Sequence, residues 1–292
     1  MDFQGTYTAM VTPFRDRVLD IEAYRELLNR QRSARVAGVV PCGCTGEAAT
    51  LDENERKRLL STALEAVGDS MQVVPGTGSN STETAIALTK TAEIEGAHAA
   101  MLITPYYNKP SQEGLVKHYT RIADATTIPL VLYNVPSRTG VTLAAETVAE
   151  LYSTGRFAAI KEAGGRVDAV SDFLSKSSIV VLSGDDSLTV PMMSIGAKGV
   201  VSVVSNLFPG AVREMVDFAL EGNFKRASEI HFQLLPVIRA AFVESNPSPI
   251  KAMLATRGLI ANELRAPLAP VSETSMTVVH RALETAEKVV SS

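Results

Sequence analysis

The sequence predicts a (β/α)8 barrel (TIM barrel) of the α/β class with an α-helical C-terminal appendage. Three observations carry the prediction. Short β-branched runs alternate with amphipathic stretches of helical period from the N-terminus onward. The runs number eight, whereas a doubly wound open sheet usually stops at about five or six. Runs such as VVLSG and GVVSVVS are apolar on both faces, as strands of a parallel sheet covered on both sides must be. At 292 residues, with 46% hydrophobic and 21% charged residues and no low-complexity run, the chain can bury an extensive core.

Taken in order, the expected strands are Tyr7–Val11, Ala37–Gly43, Gln72–Gly76, Ala99–Thr104, Leu130–Val135, Phe157–Glu162, Ile179–Ser183 and Gly199–Ser205. Helical segments lie between them, with recognisable starts. Asp52-Glu53-Asn54-Glu55 is a capping box, in which a side chain at each end satisfies an orphan backbone donor of the first turn. Ser81 and Ser111 can cap the next two helices similarly. Pro41 in the second run is out of place, because proline cannot donate to a ladder; a bulge at the strand end would accommodate it. Beyond Ser205 only helical segments follow, at Pro209–Leu220, Lys225–Glu244, Pro249–Leu259 and Ser275–Val289. Residues 1–224 are therefore assigned to the barrel and 225–292 to the C-terminal helical region.

Charge and composition exclude several functions. Against 28 Lys+Arg stand 32 Asp+Glu, a net charge of −4 with no basic stripe, so nucleic acid is not expected as a partner. No apolar run approaches the roughly 20 residues that span a bilayer, and MDFQGTYTAM does not read as a leader, so the expected location is cytoplasmic. Cys42 and Cys44, spaced C-x-C within an apolar segment, offer neither a disulfide framework nor a zinc site. None of the histidines (His98, His118, His231, His280) falls at a predicted strand end, so no metal is expected despite Asp185-Asp186.

Barrels of this kind build their active site at the C-terminal ends of the strands. Among the lysines, Lys161 is the anomaly: it directly follows Phe157-Ala158-Ala159-Ile160, which puts an ammonium group in or at the end of an inner strand. Desolvation there disfavours the charge, and a free amine can attack a carbonyl to form a Schiff base. An ion pair with Glu162 is the competing reading, but neighbours on a strand face opposite sides. Imine chemistry needs a proton donor and acceptor, and Tyr133 at the end of the preceding strand can supply both. The polar loop after it ends in Arg138, a group able to clamp a carboxylate bidentately. The alternatives are core packing for Tyr133 and a surface charge for Arg138.

With Lys161, Tyr133 and Arg138 in place, the sequence resembles the dihydrodipicolinate synthase family, class I pyruvate aldolases whose superfamily also holds N-acetylneuraminate lyase. The likeness runs end to end through Gly43-Cys-Thr-Gly-Glu-Ala-Ala-Thr-Leu51, Gly76-Thr-Gly, Thr104-Pro-Tyr-Tyr-Asn-Lys-Pro110, Tyr133-Asn-Val-Pro-Ser-Arg-Thr-Gly140, Ile160-Lys-Glu-Ala163, Leu182-Ser-Gly-Asp-Asp186, Gly199-Val-Val-Ser202 and Asn246-Pro-Ser-Pro-Ile-Lys251. The resemblance implies a cofactor-free condensation of pyruvate with L-aspartate-4-semialdehyde in lysine and diaminopimelate synthesis. Lys161 would form the imine, Thr45 would hold the pyruvate carboxylate, and Gly184 and Val201 would lie close to the intermediate. Arg138 would bind the carboxylate of the aldehyde. Tyr133 would relay protons with Tyr107 supplied by a neighbouring subunit, in a homotetramer built from tight dimers. A lyase for N-acetylneuraminate or a 2-keto-3-deoxy sugar acid is the alternative.

Two departures from the family pattern matter. Cys44 stands where the relay has a hydroxyl residue, usually threonine; a thiol donates weakly, which predicts slower turnover than in a Cys44→Thr variant, or else marks a different acceptor aldehyde. In lysine-inhibited relatives a pocket at the dimer interface uses an asparagine, an acidic residue, a histidine and a tyrosine. Asn80 and Tyr106 match, but Ala48, Glu53, Arg56 and Thr84 occupy the other positions. Arg56 would repel an ammonium group and Thr84 cannot pair with it, which predicts weak or absent feedback by lysine.

Overall fold

A computed structural model describes residues 3–290. Eight parallel strands form one sheet: β1 (Gly5–Ala9), β2 (Gly38–Val40), β3 (Gln72–Val73), β4 (Ala100–Ile103), β5 (Leu130–Asn134), β6 (Phe157–Glu162), β7 (Val180–Ser183) and β8 (Gly199–Ser202). Their spatial order is β3-β2-β1-β8-β7-β6-β5-β4. The ring closes between its outer members through a parallel bridge from Gly76 to Met101, where Met101 N donates to Pro75 O (2.9 Å) and Thr77 N to Met101 O (3.0 Å). The predicted barrel is thus the observed one, with its first and last strands side by side.

Eight helices follow the strands: α1 (Ile21–Ala34), α2 (Glu53–Val67), α3 (Thr82–Ile94), α4 (Gln112–Asp124), α5 (Ala145–Ser153), α6 (Asp168–Lys176), α7 (Thr189–Ser194) and α8 (Pro209–Leu220). Their inner faces follow from sequence spacing: in α4, Leu115, His118, Tyr119, Ile122 and Ala123 recur at three and four residues and are all buried. Asp52 and Glu55 close the capping box of α2 (2.9 and 3.0 Å), and Ser81 and Ser111 cap α3 and α4. Among the described residues three further helices follow, α9 (Phe224–Ala240), α10 (Ser248–Thr256) and α11 (Glu273–Val290).

Because strand side chains alternate, each strand feeds two cores. Val39, Ala100, Leu130, Leu132, Ile160, Val181 and Val200 point outward into the layer beneath the helices. Ala9, Val40, Met101, Val131, Tyr133, Ala159, Leu182 and Val201 line the barrel interior. Leu132, wholly buried in the outer layer, is representative: truncation to alanine there costs about 2–5 kcal/mol. Gly38 is needed where it stands, since a Cβ would lie 2.6 Å from the Tyr7 ring, whose hydroxyl reaches across to Gln72 Oε1 (2.7 Å).

Three details differ from the sequence expectation. Strand β2 ends at Val40, so Pro41 lies outside the ladder with no bulge; its carbonyl accepts from Gly76 N (2.9 Å). Cys42, expected near the end of that strand, and Cys44 consequently sit on a loop, with Cys42 at φ 55°. A two-residue hairpin, Phe14–Arg15 with Val18–Leu19, was not expected. Its turn residues Asp16 and Arg17 both have positive φ (53° and 67°), the backbone that a tight two-residue hairpin demands although neither residue is glycine.

Candidate active site

Lys161 lies on β6 with Ala159, facing the barrel interior, and is 6% exposed. Across the ladder it is in register with Tyr133 on β5, and its Nζ sits 4.1 Å from the centre of the Tyr133 ring. Burial pulls its ammonium group from 10.5 to about 8; Cys44, Asp185 and Asp186 pull the other way, and the charge of Arg138 adds to the depression. Glu162, one residue on, faces away. Its carboxylate accepts from Asn134 Nδ2 (2.7 Å) and Gly164 N (2.6 Å), which disposes of the ion-pair reading. Burial pushes this carboxyl above the ordinary glutamate value.

The rim of the β6 and β7 ends fits closely around the lysine. A Cβ on Gly184 would lie 2.6 Å from Ala163 Cβ and 2.9 Å from Lys161 Cε, so only glycine leaves the amine its place. Val201 on β8 belongs to the same inner wall. Tyr133 is buried at 5% exposure, and burial drives its phenol well above its ordinary value. Cys44 beside it raises the phenol further, while the Arg138 guanidinium lowers it. Arg138 sits on the single turn Pro136–Thr139 beyond β5, exposed, with Nη2 donating to the carbonyl of Asn246 (3.0 Å).

Thr45, 4% exposed, follows Cys44 on the loop after β2, and its hydroxyl accepts from Asn246 Nδ2 (3.0 Å). Tyr107 stands apart from this group. It is 89% exposed at φ 74°, so its own chain leaves the ring in the open. Ala48, Glu53, Arg56, Thr84 and Tyr106 are brought together, lining a surface pocket of about 580 Å³ between α2 and α3. Arg56 is held there by the carbonyls of Ala48 and Gly76. Asn80 is not part of that lining; its carbonyl accepts from Asn108 Nδ2 (2.8 Å).

Two features escaped the sequence. Asn246 touches both Thr45 and Arg138, although it lies some 40 residues beyond the last strand. Lys251, fully buried, donates to Glu47 Oε1 (2.6 Å) and Thr12 O (2.9 Å) and lies over the Phe14 ring (4.6 Å). A lysine within the apolar stretch Pro249–Leu254 was the available signal. Among the described residues no group of three or more His, Cys, Asp or Glu could hold a metal ion, and no helix is long and apolar enough to cross a membrane.

Fold and site define a class of protein: a barrel whose inner wall presents a desolvated lysine, able to exist as free amine near neutral pH, beside a tyrosine able to exchange protons with a bound carbonyl compound. Residues 2–286 match the dihydrodipicolinate synthetase family. A 4-hydroxy-tetrahydrodipicolinate synthase from Leptospira biflexa is 48% identical over 273 residues, 93% of each chain. One from Methanocaldococcus jannaschii is 45% identical over 285 residues, 97% of this chain and 98% of the relative. The structure of the 4-hydroxy-tetrahydrodipicolinate synthase of Methylacidiphilum fumariolicum SolV superposes with a TM-score of 0.98 at 44% identity, covering 99% of this chain and 98% of the other. The chain belongs to the dihydrodipicolinate synthetase family and is an enzyme.

Proposed function

We propose that the chain condenses pyruvate with L-aspartate-4-semialdehyde to 4-hydroxy-tetrahydrodipicolinate, in lysine and diaminopimelate synthesis, through a Schiff base on Lys161. The observation that carries the reading is the desolvated Lys161 amine in register with Tyr133 on the inner wall. Its free amine attacks the keto carbon, the carbonyl oxygen takes up a proton, and loss of water leaves the imine. Removal of a methyl proton gives the enamine, whose carbon attacks the aldehyde. The amino group of the second substrate then attacks the imine carbon and displaces Lys161 as the ring closes.

In this reading Thr45 holds the pyruvate carboxylate, with Gly184 and Val201 against the intermediate. Arg138 takes the carboxylate of the aldehyde, its guanidinium already oriented by Asn246 O. Tyr133 carries protons in and out, with Cys44 beside it and Tyr107 contributed by a neighbouring subunit; the exposure of Tyr107 supports that last assignment. The assembly is then a homotetramer of tight dimers, located in the cytoplasm. Cys44 in the relay favours a second reading, a sibling lyase acting on N-acetylneuraminate or a 2-keto-3-deoxy sugar acid.

Reduction with borohydride in the presence of pyruvate, followed by peptide mapping and run beside a panel of acceptor aldehydes, tests the proposal. The expected adduct is on Lys161, with aspartate-semialdehyde the best acceptor. Absence of an adduct, or an adduct elsewhere, overturns the imine, and preference for a sugar aldehyde selects the second reading.

A further inference from the structure

The segment Asn246-Pro-Ser-Pro-Ile-Lys251 belongs to no barrel strand, yet it reaches into the site at two points. We propose that Asn246 is a positioning residue that aims the Thr45 hydroxyl at the keto-acid carboxylate. The inference rests on the imine reading above and assigns the direction of a bond within it. A hydroxyl has one proton and two lone pairs. With Asn246 Nδ2 donating to Thr45 Oγ1 (3.0 Å), one lone pair is occupied, and the proton is turned toward another acceptor, which the carboxylate supplies. The same residue's carbonyl accepts from Arg138 Nη2 (3.0 Å), so a single residue sets the spacing between the two carboxylate-binding groups.

Two further observations support a working role. Among the described residues Asn246 Oδ1 is buried without a hydrogen-bond partner, a destabilising arrangement that an apolar side chain would avoid; the amide remains for what its nitrogen does. Asn246 is also held rigidly. Five residues on, Lys251 is ion-paired in the interior to Glu47 Oε1 (2.6 Å), while Arg265 N donates to Glu47 Oε2 (2.9 Å). Glu47 lies two residues after Thr45 at φ 54°, so the Thr45 loop and the C-terminal segment are fastened to each other beside the contact.

The test uses the full chain and two variants. Asn246→Ala removes the donor; Asn246→Leu keeps the size but offers neither donor nor acceptor, so nothing at residue 246 turns the Thr45 proton away. The readouts are the pyruvate concentration that half-saturates cyanoborohydride trapping on Lys161, and the KM values for pyruvate and for the aldehyde. Both variants should need about tenfold more pyruvate, the loss of one directed hydrogen bond, while trapping the parent's fraction of chains at saturation. The KM for the aldehyde should change less than about twofold, because the backbone carbonyl still holds Arg138. An unchanged pyruvate requirement in a folded variant, or equal rises in both KM values, overturns the proposal. If Asn246→Ala fails to fold, Asn246→Leu decides alone. Trapping in the parent without a shift in the variants sinks this inference only, whereas no trapping in the parent sinks the imine and this inference with it.

Discussion

The depressed basicity of Lys161 has a measurable consequence. A lysine in water titrates near 10.5 and presents about 0.03% free amine at pH 7, whereas one titrating at about 8 presents about 9%, roughly 300-fold more nucleophile. The initial rate of adduct formation at low pyruvate, quenched with cyanoborohydride and read as the mass of the intact chain, should therefore rise tenfold per pH unit up to about 8 and then level off. The same desolvation acts on stability. Between about 8 and 10.5 the unfolded chain holds a proton that the folded chain has released, so stability rises with pH across that window and is lowest below it. Lys161→Met should then abolish the adduct and, by urea denaturation at pH 7, stabilise the chain by up to about 3 kcal/mol. A rate that keeps climbing to pH 10, or a Lys161→Met chain no more stable than the parent, would refute the desolvation argument.

Other outcomes follow from the same geometry. Cys44→Thr should raise turnover, since a hydroxyl donates better than a thiol to Tyr133; steady-state assay showing unchanged or lower turnover contradicts the relay. Free lysine at submillimolar concentration should leave the rate unaltered, because Arg56, fixed by two carbonyls, opposes an ammonium group in the pocket lined by Thr84 and Tyr106. Gly184→Ala should slow adduct formation by roughly 10- to 100-fold, an overpacking effect of about 1–3 kcal/mol at Lys161 Cε, without changing its location on peptide mapping. Lys251→Met should lower the unfolding free energy by about 3–5 kcal/mol in urea, because the fully buried Glu47 carboxylate loses its counter-charge.

Legibility in the sequence followed the range of the interactions involved. Strand β6 was readable to the residue because an apolar run, its flanking turns and a lysine at its end are all local signals. The capping box of α2 was legible for the same reason. The expected strand around β2 exceeds the observed one because apolar character continues through Cys42 and Gly43 while pairing stops at Val40, and pairing depends on partners far along the chain. The hairpin after β1 was missed since Asp16 and Arg17 adopt positive φ without glycine to announce it. Glu47, Asn246 and Lys251 stand in motifs that carry the family resemblance, but their roles are not legible there because they lie in contacts across some 200 residues. Residue type alone makes each an ordinary surface polar group.

The dependence of the Thr45 loop on residues 246–265 has a bearing on how the enzyme comes into being. A nascent polypeptide whose eighth strand has just left the ribosome already owns every residue of the inner wall, Lys161 among them. It still lacks the brace that orients Thr45 and neutralises Glu47. The order of synthesis therefore separates the two: the chain carries Lys161 early, and the partners of Thr45 and Glu47 are added only later.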